Sequence, residues 1–171
     1  QLTIDLAALE GKVLSVFLHM QPERTTCPEG GRYVQQWLMI SELSNALSEG
    51  WTLAVREHPL TFGTGPRLVQ TLEFYQAAVA LGNVQLVKVD ESPFDLVGRS
   101  EAVATVTGTI GLEAAARGKP ALVFGNAPYR GCEAVIDAGG VHGIPDLNDL
   151  AKIGKQGMAL ESFLAAFDSS A

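Results

Sequence analysis

Short apolar runs separated by polar, glycine-rich segments predict a sheet of buried strands with helices between them. Each run is four to six residues long and carries few charges, as in strands that are covered on both faces. A glycine-, proline- or polar-rich segment follows each run. The predicted strands cover residues 13–18, 51–55, 84–89, 102–106 and 121–124.

Apolar residues with helical spacing occupy the segments between these strands. Tyr33, Trp37, Ile40, Leu43 and Leu47 predict a helix over residues 32–47, and these aromatics are interpreted as core. Ser92-Pro93 is a typical helix start. The remaining predicted helices begin near residues 66, 92 and 109, with a short helix or linker at 3–9 and two C-terminal helices at 147–153 and 158–167.

This alternation of strand and helix predicts a single Rossmann-like three-layer α/β/α domain with a mainly parallel sheet, spanning residues 1–171. Its core is expected at about 13–130, followed by a glycine-rich loop and C-terminal helices at 131–171. Ligands of such sheets bind outside the carboxyl ends of the strands. The polar segments fall at those ends: 19–31, 56–65, 90–93, 107–113 and 125–131.

Composition narrows the range of partners. The 171 residues are 47% hydrophobic and 18% charged, which suits one soluble domain with a substantial core. A net charge of −7 argues against a nucleic-acid partner. The two cysteines and three histidines have no metal-ligand spacing, so neither a metal nor a cofactor is expected. No apolar run is long enough to span a membrane, so the cytoplasm is the expected location.

The segment from Thr105 to Pro120 reads as a strand end, a glycine turn and a helix. Gly108 and Gly111 allow close backbone approach where the helix begins. The amides and positive dipole end of a helix start favour an anion such as phosphate.

Glu113 is unexpected in this helix, because its neighbours are apolar and a buried acid needs a partner. A capping box is excluded, since Ile110 stands where serine or threonine would be required. Thr109 lies four residues earlier and therefore on the same helix face. A ligand hydroxyl, such as a ribose diol, and a bond to another loop are equally good interpretations.

The second candidate is Arg56-Glu57-His58-Pro59, at the end of a predicted strand. Pro59 favours an extended conformation at His58, whose imidazole can donate to a phosphate or stabilise its own loop. Arg56 adds positive charge, although strand alternation can direct it elsewhere. On the first polar loop, Glu23, Thr25 and Thr26 are either ligand contacts or loop-stabilising side chains.

These segments, taken together and in this order, resemble the bacterial capsule polysaccharide biosynthesis family, which is similar to the Kdo transferases. The resemblance covers about residues 13–130. It rests on the run from Phe17 to Thr26, Val55-Arg-Glu-His-Pro59, Val106-Thr-Gly-Thr-Ile-Gly-Leu-Glu-Ala114, Gly118-Lys-Pro120 and Val123-Phe-Gly125.

The resemblance implies the carboxyl-terminal, nucleotide-sugar-binding half of a two-domain GT-B glycosyltransferase. The chain would then be a piece of a larger protein, inactive alone, and the acceptor-binding half would be its partner. His58 and Pro59 would hold the phosphate and cytidine region of a CMP-linked donor, and Glu113 the ribose. Thr107, Gly108, Thr109 and Gly111 would form the phosphate-facing loop.

The same resemblance assigns no catalytic residue, with His58 at most a phosphate stabiliser. It leaves room for peripheral association of the full protein with the inner face of the bacterial inner membrane. Two alternatives stay open: a UDP-sugar 2-epimerase-like domain, and a non-catalytic module that binds a nucleotide or a protein.

Overall fold

A seven-stranded parallel sheet forms the centre of the molecule. The computed structural model describes residues 2–23, 26–62, 70–140, 143–150, 159, 161–163 and 165. The strands are β1 (Thr3–Ile4), β2 (Lys12–Phe17), β3 (Trp51–Arg56), β4 (Val84–Val87), β5 (Ala102–Thr105), β6 (Ala121–Val123) and β7 (Val135–Asp137). Their order across the sheet is β1-β4-β3-β2-β5-β6-β7.

Helices cover both faces of the sheet. They are α1 (Gln36–Ala46), α2 (Leu72–Val79), α3 (Pro93–Arg99) and α4 (Ile110–Ala116). Short 3-10 helices cover Leu6–Ala8, Gly31–Val34, Pro59–Phe62 and Leu147–Asp149. Buried residues of α1 and α2 join one apolar cluster and those of α3 and α4 join another. The Rossmann-like three-layer α/β/α fold predicted from the sequence is thereby confirmed.

Strand β2 shows why the central runs are apolar throughout. Leu14 and Val16 belong to the cluster under α1 and α2, whereas Val13 and Phe17 belong to the cluster under α3 and α4. Side chains alternate between the two faces of a strand, so a strand buried on both faces carries apolar residues at nearly every position. The five strands predicted from these runs are all present, each within one or two residues of its predicted ends.

Several local predictions were right for the expected reason. Ser92 caps α3, because its side chain accepts a hydrogen bond from the amide of Asp95. Gly118 follows α4 with a φ of 72°, a left-handed conformation that glycine adopts without strain.

The sequence missed the two edge strands. Residues 3–9, predicted as a short helix or linker, contain both β1 and a 3-10 helix, and β7 lies in the segment predicted as a glycine-rich loop. Both strands are two or three residues long and pair with one neighbour each, too short for a recognisable pattern.

The predicted helix over 32–47 is also interrupted. It divides into a 3-10 turn and α1 at Gln35, which is not helical. Helix α2 begins at Leu72 with Thr71 as its cap, and the start predicted near residue 66 lies outside the described residues. Of the two predicted C-terminal helices, the first begins as the 3-10 helix Leu147–Asp149. Most of the remaining residues of these two predicted helices also lie outside the described residues.

Candidate functional site

A cavity of about 560 Å³ opens at the carboxyl ends of β2, β3 and β5, which are neighbours in the sheet. Its size is within the range of about 300–1,000 Å³ that is usual for small-molecule sites. Its position is also the usual one for ligands of open α/β sheets. It is lined by Phe17, Leu18, His19, Glu23, Arg56, Glu57, His58, Pro59, Pro93, Phe94, Thr105, Thr107, Gly108, Thr109, Ile110 and Glu113.

His58 lines this cavity just beyond β3, half-buried. Its Nδ1 accepts a hydrogen bond of 3.2 Å from the amide of Leu60. The neutral ring therefore carries its proton on Nε2. Since no other described residue engages Nε2, this N–H is available to a ligand. The loop interaction and the ligand interaction considered for His58 thus use different nitrogens.

Glu57 holds the His58 turn in place, a role that no sequence pattern predicted. The side chain is 5% exposed. Its Oε1 accepts from the amide of His58 at 2.7 Å and from the hydroxyl of Thr61 at 3.1 Å. Its Oε2 accepts from the hydroxyl of Tyr75, on α2, at 2.7 Å. One buried carboxylate therefore connects the β3 end to α2 and sets the direction of the following residue.

Arg56 is committed to the protein rather than to the open part of the cavity. Its guanidinium donates to the carbonyls of Val89 and Glu91, at 2.8 and 3.1 Å, on the loop between β4 and α3. Burial lowers the pKa of Arg56. The residue is part of the cavity wall, but its hydrogen bonds fix the neighbouring loop, so its expected role as a direct phosphate contact is not supported by this geometry.

His19 is the main cavity residue that the sequence analysis passed over. It directly follows the predicted strand 13–18 and is 8% exposed. Its Nε2 accepts from the amide of Thr107 at 3.2 Å and lies 3.1 Å from Thr105 Oγ1, while Nδ1 lies 3.5 Å from Glu23 Oε2. The imidazole thus joins the β2 loop to the turn after β5. Its position at a strand's carboxyl end, like that of His58, is the signal that identifies it.

Burial lowers the pKa of His19 below its ordinary value of 6.5, although Glu23 opposes the shift. As pH falls below 6.5 the unfolded chain binds a proton before the folded chain does, so acid favours unfolding. Below about pH 6.5 we expect His19 to make the free energy of unfolding fall with acid by up to about 1.4 kcal/mol per pH unit. Well above pH 6.5, His19 should add no such slope.

Urea unfolding from about pH 7.5 to about pH 5 measures this slope. His19→Gln retains an acceptor for the Thr107 amide but does not titrate, so its stability should fall less steeply with acid. Parallel stability profiles for the two proteins would contradict the assignment.

In the turn after β5, more backbone amides already donate hydrogen bonds within the protein than is expected for an anion site. The amide of Thr107 donates to His19, that of Gly108 to Thr105 Oγ1 at 3.3 Å, and that of Gly111 to the Gly108 carbonyl at 3.1 Å. Within the described part of the chain, the amides of Thr109 and Ile110 have no backbone acceptor. The donors left for a ligand are therefore these two and not the whole 107–111 turn.

Thr109 and Glu113 lie together on the cavity wall. The hydroxyl of Thr109 donates to Glu113 Oε1 at 3.2 Å, so the partner of this acid is on its own helix and not on another loop. The second carboxylate oxygen has no described partner and remains available to a hydroxyl group. Glu113 is only half-buried, which makes its burial less costly than the apolar neighbours suggested.

Gly111 is a predicted site residue that does not line the cavity. It is buried against Tyr129, where a Cβ atom would lie 2.6 Å from the phenolic oxygen. Tyr129 in turn donates a hydrogen bond to the Gly108 carbonyl. The absence of a side chain at Gly111 therefore serves helix packing, and Tyr129 packs the loop against the start of α4.

Of the three residues predicted on the first polar loop, one lines the cavity. Glu23 lines it and is 37% exposed. Thr26 is fully buried, with its hydroxyl between the Gln21 side chain at 2.9 Å and the Glu23 carbonyl at 3.0 Å, so it stabilises the loop. Thr25 lies outside the described residues.

Within the described ranges, no group of three or more His, Cys, Asp or Glu side chains is arranged to hold a metal ion. None of the helices described here is both long and apolar enough to cross a bilayer.

The chain matches the model of a known protein family. The family model described as Capsule polysaccharide biosynthesis protein matches residues 24–137, about two thirds of the chain. No curated protein is similar to the chain in sequence.

Solved structures with the same fold include two enzymes of Thermosulfurimonas dismutans. KpsC beta Kdo 2,7 transferase superposes with a TM-score of 0.63 at 14% identity, over 92% of this chain and 44% of that one. KpsC beta Kdo 2,4 transferase superposes with a TM-score of 0.55 at 14% identity, over 95% of this chain and 55% of that one. A Listeria monocytogenes protein described as a UDP-N-acetylglucosamine 2-epimerase superposes with a TM-score of 0.51 at 18% identity, over 94% of this chain and 45% of that one. The chain thus spans about half the length of each.

Proposed function

The chain belongs to the capsule polysaccharide biosynthesis protein family, and on that premise we propose that it binds the nucleotide-sugar donor of a glycosyltransferase. The donor is of the CMP-Kdo type, and the product is a capsule or another surface polysaccharide. The acceptor-binding half of this GT-B enzyme lies outside these residues. The likeness to two Kdo transferases, each about twice as long, supports this division.

The observation that carries the proposal is the shared cavity of His58 and the turn after β5. Two segments about fifty residues apart in the chain meet there, because β3 and β5 flank β2 on either side. The N–H of His58 Nε2 and the amides of Thr109 and Ile110 are donors without described acceptors. A donor set of this kind suits the oxygens of a phosphate.

Each residue has a distinct part in this proposal. His58, positioned by Glu57 and followed by Pro59, donates to the phosphate that becomes the leaving group when the glycosidic bond breaks. The amides of Thr109 and Ile110 face the same phosphate, and the free oxygen of Glu113 accepts from a ribose hydroxyl. Donors already aimed at the phosphate stabilise the charge that develops there as the bond breaks.

Titration with CMP, CDP, UMP and UDP by calorimetry tests the proposal. We expect CMP to bind, and His58→Ala to weaken it about tenfold, since a hydrogen bond to a charged group contributes about 1.5 kcal/mol or more. His58→Gln retains a side-chain N–H and should lose less. Lys12→Ala removes a positive charge at the opposite end of β2 and should bind as wild type does.

Equal binding by wild type and His58→Ala, or no binding of any nucleotide, would contradict the proposal. A preference for UDP over cytidine nucleotides would favour the UDP-sugar 2-epimerase-like alternative, for which the Listeria structure supplies the fold. Nucleotide binding by a full-length protein that transfers no sugar would favour a non-catalytic module.

A further inference from the structure

Phe94 is an exposed aromatic ring on the cavity wall. It lies in the first turn of α3 and is 47% exposed, whereas phenylalanine is among the residues most often fully buried. The other large apolar side chains with comparable exposure include Leu2, Phe62 and Leu72, which line a separate apolar cavity of about 320 Å³ beside β1 and β4. Among the exposed large apolar side chains of the described residues, Phe94 alone lines the cavity that contains His58.

Arg117 packs against one face of this ring. The guanidinium carbon lies 4.5 Å from the centre of the Phe94 ring, a cation–π contact. The guanidinium also donates to the Glu113 carbonyl at 3.1 Å. This contact restricts the ring on one side, and the 47% of Phe94 that stays exposed is available for a ligand to pack on.

Three side chains spaced along α4 relate the position of Phe94 to the phosphate and ribose of the proposed ligand. Thr109, Glu113 and Arg117 are four residues apart and occupy one side of the helix, about 6 Å between successive positions. In the proposed function the first of these is near the phosphate and the second near the ribose. The third supports Phe94, at the position that follows the ribose. Phosphate, ribose and base succeed each other in the same order in a nucleotide.

We propose that Phe94, held by Arg117, is the platform on which the nucleobase of the donor stacks. This inference rests on the proposed function, because it assigns the base end of the same ligand. Stacking on an aromatic ring suits any base, since every base has a π-face. Phe94 therefore contributes affinity for a nucleotide over a sugar phosphate, and the choice among bases depends on other groups.

The test compares CMP with ribose 5-phosphate, which has the same phosphate and ribose and no base. We expect Phe94→Ala to weaken CMP binding about tenfold and to leave ribose 5-phosphate binding unchanged. Phe94→Trp should retain CMP affinity, and Arg117→Ala should lower it by less than Phe94→Ala does. Phe62→Ala is the matched control, since this ring is 59% exposed and lines the other cavity.

The outcomes separate the inference from the function on which it rests. If Phe94→Ala binds CMP as tightly as wild type, the stacking role is wrong and the donor-site proposal stands. If both ligands weaken equally, the ring supports the fold of the site and not the base, and the inference is again wrong. If wild type binds neither ligand, both proposals fail.

Discussion

Glu57→Leu is expected to lower the free energy of unfolding by about 3 kcal/mol and to abolish nucleotide binding at the cavity. The buried carboxylate accepts from the His58 amide, the Thr61 hydroxyl and the Tyr75 hydroxyl, and leucine accepts from none of them. Each buried donor left without an acceptor costs about 1–3 kcal/mol. The turn that directs His58 toward the cavity would lose its main constraint.

Chemical denaturation and CMP titration measure the two effects of Glu57→Leu. Glu57→Gln keeps one carbonyl oxygen for the His58 amide and should lose much less of both. Tyr75→Phe removes only the hydroxyl that donates to Glu57 Oε2. It therefore tests whether Glu57 positions the His58 turn even if Glu57→Leu does not fold. Burial raises the pKa of Tyr75, which keeps the phenol protonated as a donor. Wild-type stability and affinity in both Glu57→Leu and Tyr75→Phe would refute this role.

Gly111→Ala is expected to destabilise the protein by about 2 kcal/mol. The added Cβ would lie 2.6 Å from the phenolic oxygen of Tyr129 and 3.2 Å from two of its ring carbons. Tyr129 is 4% exposed and donates to the Gly108 carbonyl, so its ring has little room to move. The clash outweighs the gain of about 1 kcal/mol that alanine usually brings to a helix.

A double-mutant cycle with Tyr129→Phe isolates this contact. Removing the phenolic oxygen removes the closest clash, so the double variant should be more stable than the sum of the single effects by about 1 kcal/mol. Gly98→Ala is the matched control, because this glycine also lies in a short helix and has no atom within 4 Å of its would-be Cβ. It should leave stability unchanged or raise it slightly. Additive effects in the cycle would show that Gly111 and Tyr129 do not compete for space.

Much of the fold was predictable because burial leaves a local mark on the sequence. The runs that became β2, β3 and β5 are apolar at nearly every position, since helices cover both faces of the sheet. Ser92 and Gly118 marked helix ends by chemistry that acts within a few residues. The edge strands β1 and β7 were missed because two or three residues are too few to establish a period.

The candidate site was predictable only in outline. His58 was selected by its place at a strand end, Thr109 and Glu113 as a polar pair on one face of the helix start, and all three line one cavity. Gly111 and Thr26 lie in the same polar segments as these candidates and instead pack inside the protein. His19 and Glu57 were passed over because each has a partner that lies far along the chain, Thr107 at 88 residues from His19 and Tyr75 at 18 residues from Glu57.

By itself, the sequence determined the alternation of strand and helix, the parallel sheet and the edge at which polar segments gather. These properties follow from periodicity and from the residues that begin and end helices, which act over a few positions. Only the tertiary structure decided that Arg56 turns to the β4–α3 loop while His58 faces the cavity. It also decided that His19 joins β2 to the turn after β5. The reason is that strand pairing brings distant segments together, and each side chain then bonds to whichever partner the register places within reach.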